Sequence, residues 1–227
     1  MSIGPPVKVL AAEWALASTQ RSLTYDGFAA LYAKEVSEED FKAHFAHGRF
    51  APFTGLEALG LGAALQRLDT AIEILRREPL ARLELAADFA QLFLLDARTG
   101  ALPYASAYEG EGTASILYSA AETRMREMLS ARALAVESDF REPADHLAIL
   151  LSLLAHVAKT HGNANDIGAA AHDQATLLRT SLLDWLPRFV DRCQQATPRF
   201  DVYPALASLL LGFAQADLLF LEDIAAD

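Results

Sequence analysis

Cysteine is almost missing from this 227-residue chain, in which Cys193 stands alone. That excludes an intramolecular disulfide and any C-x-x-C metal or redox motif. Basic residues are scarce as well: 19 Lys and Arg stand against 30 Asp and Glu, a formal net charge of −11. A surface of that sign repels phosphate backbones, which makes nucleic acid a poor partner, whereas basic ligands, cationic peptides among them, suit it. Long apolar runs are also lacking. Val202 to Ala216, the longest charge-free stretch near the C-terminus, lies between Asp201 and Asp217 and contains Pro204; it falls short of the ~20 residues that span a bilayer. Glu13 breaks the apolar stretch at the N-terminus, which makes a poor secretory signal. With 52% hydrophobic residues the chain is too apolar for disorder. These features point to a soluble, cytoplasmic protein whose apolar excess forms a core.

Catalytic signatures are absent too. No G-x-S-x-G, H-E-x-x-H or G-x-x-x-x-G-K-[ST] occurs. Gly60-Leu61-Gly62 and Gly110-Glu111-Gly112 each lack the third glycine of a dinucleotide fingerprint. The first falls inside a helical stripe, and Glu109 and Glu111 around the second would repel a pyrophosphate. His44 and His47 share a helical face, but no Cys or third His accompanies them, so they read as exposed surface histidines. Cys193 reads as a buried small hydrophobe. No catalytic residue and no metal ligand is expected.

Helical periodicity fills the chain, and no run alternates like a strand. The expected fold is all-α, with roughly ten helices. Leu10, Trp14 and Ala17 share one face of the first, and Asp26 caps a second. Ser37 and Asp40 resemble a capping box. Gly55 to Arg77 carries a core stripe of Leu61, Leu65, Leu68, Ile72 and Leu75. Pro79 suits the first turn of the next helix, with Leu83, Ala87, Ala90 and Leu94 at helical spacing. A long Gly/Pro-bounded loop follows, Asp96 to Gly112, after which Thr113 caps a helix reaching about Leu134. An acidic connector runs from Val136 to Glu142. Pro143 then opens a helix to about Lys159, with Gly162 as its C-cap. The last helices span about Ile167–Leu183, Pro187–Gln195 and Val202–Asp223.

Two stretches combine chemistry with position. In Glu142-Pro143-Ala144-Asp145-His146, Asp145 falls on the first helical turn, where a carboxylate accepts backbone N–H groups without any further role. Alternatively Glu137, Asp139, Glu142 and Asp145, opposed only by Arg141, form an anionic groove end for arginines, its charge tuned near neutral pH by His146. In Leu102-Pro103-Tyr104-Ala105-Ser106-Ala107-Tyr108, the tyrosines either pack on the core or offer apolar faces with polar tips to a peptide.

Read in order, Arg82-Leu-Glu-Leu-Ala-Ala-Asp-Phe89, Ala101-Leu-Pro-Tyr-Ala-Ser-Ala-Tyr108, Glu142-Pro-Ala-Asp-His-Leu-Ala-Ile149, Trp185-Leu-Pro-Arg-Phe-Val-Asp-Arg-Cys193 and the closing helix from Tyr203 to Asp217 closely resemble the TorD/DmsD family of redox-enzyme maturation chaperones. The resemblance spans about Leu80 to the C-terminus. It implies a cytoplasmic chaperone and not an enzyme, one that binds the twin-arginine leader and the apo form of a molybdenum reductase. Such a chaperone aids insertion of the molybdenum cofactor and controls export. The wording of PYASAY and RLELAADF favours trimethylamine N-oxide reductase as client, with a dimethyl sulfoxide reductase or formate dehydrogenase as the alternative. It further implies that Tyr104, Ser106, Tyr108, Pro143, Asp145 and His146 contact the leader, and Glu142 joins them from the acidic cluster. A hinge at 136–143 would divide an N-terminal subdomain, 1–135, from a C-terminal one, 144–227, in a monomer or a domain-swapped homodimer. No cofactor is expected; some family members are linked to GTP, but no phosphate loop supports it here. The chain departs from the family pattern in its Glu109-Gly-Glu-Gly112 linker.

Overall fold

A computed structural model describes residues 11–45, 53–95, 98–109, 120–136 and 139–226. Helix α1 (Ala11–Ala33) is followed by the short α2 (Glu38–Asp40), which runs into a π turn at Phe41–Phe45. A 3-10 turn at Leu56–Leu59 precedes α3 (Gly62–Leu75). Helix α4 (Ala81–Ala90) continues as a π turn, Gln91–Leu95, and a 3-10 turn at Ala105–Tyr108 precedes α5 (Ala120–Ser130). The C-terminal part holds α6 (Leu147–His161), α7 (Ile167–Leu177) with a π extension Leu178–Leu183, α8 (Leu186–Gln195) and α9 (Val202–Ala225). Among the described residues there is no strand, only one isolated antiparallel bridge, so the fold is all-α as the periodicity implies.

Two long helices carry the core. α6 is apolar on nearly every side, with Leu147, Leu150, Leu151, Leu154 and Val157 all buried, and a helix apolar all round belongs in an interior. It lies along α1, and near their C- and N-terminal ends the backbones come close: a Cβ on Gly162 would sit 3.1 Å from Ser18 Cβ. α9 packs against α3, α7 and α8. It is long and apolar enough to cross a bilayer, yet Leu206, Leu209, Leu210, Phe213 and Leu221 are buried within the protein. Where α1, the π turn after α4, α8 and α9 meet, Tyr32, Phe93, Phe189 and Tyr203 interlock edge-to-face, Phe93 meeting Tyr203 at 5.2 Å and Tyr32 at 5.7 Å. One contiguous core thus draws on residues from both sides of the 136–143 connector.

The α3 stripe stands as expected, with Leu65, Leu68, Ile72 and Leu75 buried and Leu61 packed at its edge. Ser37 caps α2, its Oγ accepting the Asp40 N–H at 3.1 Å. Cys193 is fully buried, and burial pushes its thiol well above the ordinary range.

Other expectations are corrected. Asp26 starts no helix, because α1 runs through it unbroken and tertiary packing on α6 outweighs local cap chemistry. The stretch after Gly55 is interrupted: Gly60, at φ 79°, closes the 3-10 turn in the left-handed region, and α3 begins only at Gly62. Pro79 lies in the turn before α4, not within its first turn. Helical spacing alone does not say which face of α4 is inside: Leu83 and Leu94 face solvent, while Ala81, Leu85, Asp88 and Phe89 turn inward. Gly162 does end α6, but with φ −57°, so close approach to α1 and not a left-handed cap requires a small residue there. His44 is half-buried, and its companion His47 lies outside the described residues, as do Gly110-Glu111-Gly112, Thr113 and Glu137.

Candidate functional site

Pro143 does not open a helix. Its carbonyl accepts the His146 N–H at 3.0 Å, closing a turn, and α6 starts only at Leu147. His146 is the N-cap, extended at φ −64° and ψ 137°, and its Nδ1 accepts the Ala148 N–H at 3.1 Å. An acceptor Nδ1 requires the neutral ring, and burial pushes the imidazole down to about 4. His146 is therefore uncharged throughout the neutral range and cannot tune a charge there.

The Pro103–Tyr108 segment docks on this turn like a short strand. Leu147 N–H donates to Pro103 O at 2.7 Å and Ala105 N–H to Asp145 O at 3.1 Å, framing the antiparallel bridge between Tyr104 and His146. Asp145 is thus not on a helical turn. It is 3% exposed, and its Oδ2 accepts the Ser106 N–H at 2.9 Å, while Oδ1 has no partner. Ser106 is equally buried, its Oγ likewise without a partner.

Tyr104 is half-buried, its ring edge-on to His146 at 5.0 Å, and its hydroxyl donates to Glu142 Oε2 at 2.6 Å. Burial, then the Glu142 carboxylate, raises its phenol well above the ordinary range. Tyr108 turns the other way, stacking on Trp185 at 5.6 Å and meeting Phe189 edge-on. The structure therefore gathers Tyr104, Ser106, Glu142, Asp145 and His146 around the turn that Pro143 begins, and assigns Tyr108 to the aromatic core. Of the acidic cluster, Asp139 and Glu142 face solvent while Asp145 points inward.

Phe140 was not singled out by its sequence context, yet it packs edge-on against His146 at 5.4 Å and lines a cavity of about 570 Å³ between α1, the end of α5 and α6. Ala29, Ala33, Ile149 and Leu153 supply apolar walls, and Asp26, Asp139 and Lys34 supply charges of both signs. Burial raises the Asp26 carboxyl, with Lys159 pulling the other way. This largely apolar groove carries Asp26, Asp139 and Lys34 and adjoins the Tyr104–Glu142 pair through Phe140 and His146.

The family described as "Nitrate reductase delta subunit" matches residues 56–191. A Psychrobacter protein named "Chaperone protein TorD" is 39% identical over 219 residues, 94% of this chain and 96% of that one. Its namesake in Vibrio cholerae is 36% identical over 216 residues, 93% of this chain and 96% of the other, and that of Escherichia coli is 34% identical over 204 residues, 89% and 96%. With relatives aligned almost end to end, the chain belongs to the TorD family of redox-enzyme maturation chaperones, which are not enzymes.

Proposed function

We propose that this protein is the cytoplasmic chaperone of a molybdenum reductase, trimethylamine N-oxide reductase in the first instance. It binds the twin-arginine leader and the body of the apoenzyme, favours insertion of the molybdenum cofactor, and withholds the client from export until that is done. The observation that carries this reading is the exposed Glu142 carboxylate, oriented by the Tyr104 hydroxyl at 2.6 Å, beside a largely apolar groove that carries Asp26, Asp139 and Lys34. A leader joins paired guanidinium groups to an apolar stretch. Guanidinium forks match carboxylates in charge-assisted pairs, and apolar peptide faces seek grooves of this kind. Tyr104, Glu142 and Asp145 serve the arginines; Pro143 and His146 hold the turn, Ser106 anchors Asp145, and Tyr108 fixes the loop on Trp185.

The 136–143 connector acts as a hinge between residues 1–135 and 144–227. Exchange of one half between two copies at that hinge would give a domain-swapped dimer in equilibrium with the monomer. No bound nucleotide is required.

A pull-down from cytosol expressing the candidate reductases tests the function. Recovery of apo trimethylamine N-oxide reductase through its leader supports it. Recovery of a dimethyl sulfoxide reductase or a formate dehydrogenase reassigns the client, and recovery of no twin-arginine client contradicts the proposal.

A further inference from the structure

Helix α5 stops inside a stretch that favours helix. It ends at Ser130, but the next five residues, Ala131-Arg132-Ala133-Leu134-Ala135, are all strong helix formers, with no Gly, Pro or Asn among them. The stop is a Schellman turn: Leu134 N–H donates to Leu129 O at 2.9 Å and Ala133 N–H to Ser130 O at 3.0 Å. That turn puts Ala133 at φ 54°, the only non-glycine in the left-handed region among the described residues. A Cβ is disfavoured there, which is why glycine usually holds this position. A backbone outlier that its surroundings maintain is a pointer to function.

Arg132 holds the stop in place. Its own N–H turns to Leu129 O at 3.0 Å, and its guanidinium donates to Met128 O at 3.2 Å, the acceptor that a continued helix would give to that N–H. The same guanidinium lies 3.8 Å from Asp173 on α7. Beyond the turn, Leu134 and Val136 are half-buried on the wall of the groove between α1, α5 and α6, while Ala131, Ala133 and Ala135 are exposed. Little apolar contact therefore opposes continuation of the helix.

We propose that the C-terminal end of α5 is a two-state gate on this groove, closed with Ala133 left-handed and open with α5 continued to about Val136. In the open state Arg132 N–H takes Met128 O, Ala133 N–H takes Leu129 O and Leu134 N–H takes Ser130 O. The guanidinium leaves the turn, and Leu134 and Val136 withdraw from the groove wall. Every backbone donor of the closed turn keeps a partner. The left-handed residue therefore favours opening, while the Arg132 contacts and two half-buried side chains favour closure, a near balance that leaves both states accessible. The gate stands whatever the groove binds, and whether or not the 136–143 connector is a hinge.

Thiol labelling and NMR on the full chain test it. Ile149→Cys places a reporter on the groove wall, and the native Cys193 is fully buried. In that background Arg132→Met, which removes both guanidinium contacts, should speed labelling about fivefold and move the Cα shifts of residues 134–136 toward helix. Ala133→Gly, which relieves the left-handed residue, should slow labelling by about as much and move those shifts the other way. A fixed cap would let both variants change the melting temperature and leave the labelling rate and the shifts in place. If Ile149→Cys unfolds the protein, the shifts in the wild type, Arg132→Met and Ala133→Gly carry the test alone. Shifts of 134–136 that stay put in both variants would show that α5 has a single end, and would overturn the proposal whatever the labelling rates.

Discussion

The Arg21 guanidinium on α1 holds both carboxylate oxygens of Asp217 on α9, residues 196 positions apart in the chain and both buried. Tyr25 donates its hydroxyl to the same carboxylate at 2.7 Å. Arg21 also lies over the rings of Trp14 and Phe220, at 5.9 and 5.8 Å. This network ties the first described helix to the last.

Breaking it from one side leaves a charge buried alone. Asp217→Ala should destabilise the protein by about 3–5 kcal/mol, the range for stranding one member of a buried ion pair. Tyr25→Phe should cost less, about 1.5–3 kcal/mol, the range for one hydrogen bond to a charged group. Urea denaturation of both variants checks the order; a larger loss from Tyr25→Phe would contradict it.

Asp88 performs a different task. Its two oxygens accept the N–H groups of Arg199 and Phe200, each at 2.8 Å, so that α4 fixes the turn leading into α9. Asp88→Ala strands both donors and should lose about 2–4 kcal/mol, while Asp88→Asn, which keeps one acceptor, should lose less. Equal losses in the two would show that charge and not acceptor geometry matters.

His146 carries a pH dependence. Its pKa falls from an ordinary 6.5 to about 4 in the folded state. Between those values the unfolded chain binds the proton more readily, so stability rises with pH across that window. The His146 contribution is fully present above about pH 6.5 and is lost as pH falls toward 4, by up to about 3 kcal/mol at one pKa unit per 1.36 kcal/mol. Denaturation midpoints of wild type and His146→Asn should therefore converge on acidification. Parallel curves would show that the ring is not held neutral.

Much of the fold is legible in the sequence because α3, α6 and α9 carry long, strongly periodic or wholly apolar patterns. α4 shows the limit. Its sequence offers two faces, and the more apolar one, Leu83 to Leu94, is outside. The inner face includes an acid, and only its bonds to Arg199 and Phe200, far along the chain, make that burial tolerable. The candidate site behaves alike. The residue types and their neighbourhood are visible in the LPYASAY and EPADH stretches. The inward turn of Asp145 depends on Ser106, 39 positions earlier, a contact that helical spacing cannot reveal. Phe140 joins the cavity through tertiary packing alone.

Glu142 offers the most direct test of leader binding. It is exposed, so its substitution leaves the core untouched, and its carboxylate is oriented by Tyr104. Calorimetric titration of a twin-arginine leader peptide into wild type and Glu142→Gln, at low and at high salt, is the measurement. The account predicts weaker binding by the variant, with the difference shrinking as salt screens the pair. Equal affinity at both salt concentrations, with the fold intact, would contradict the assignment of this site to the leader.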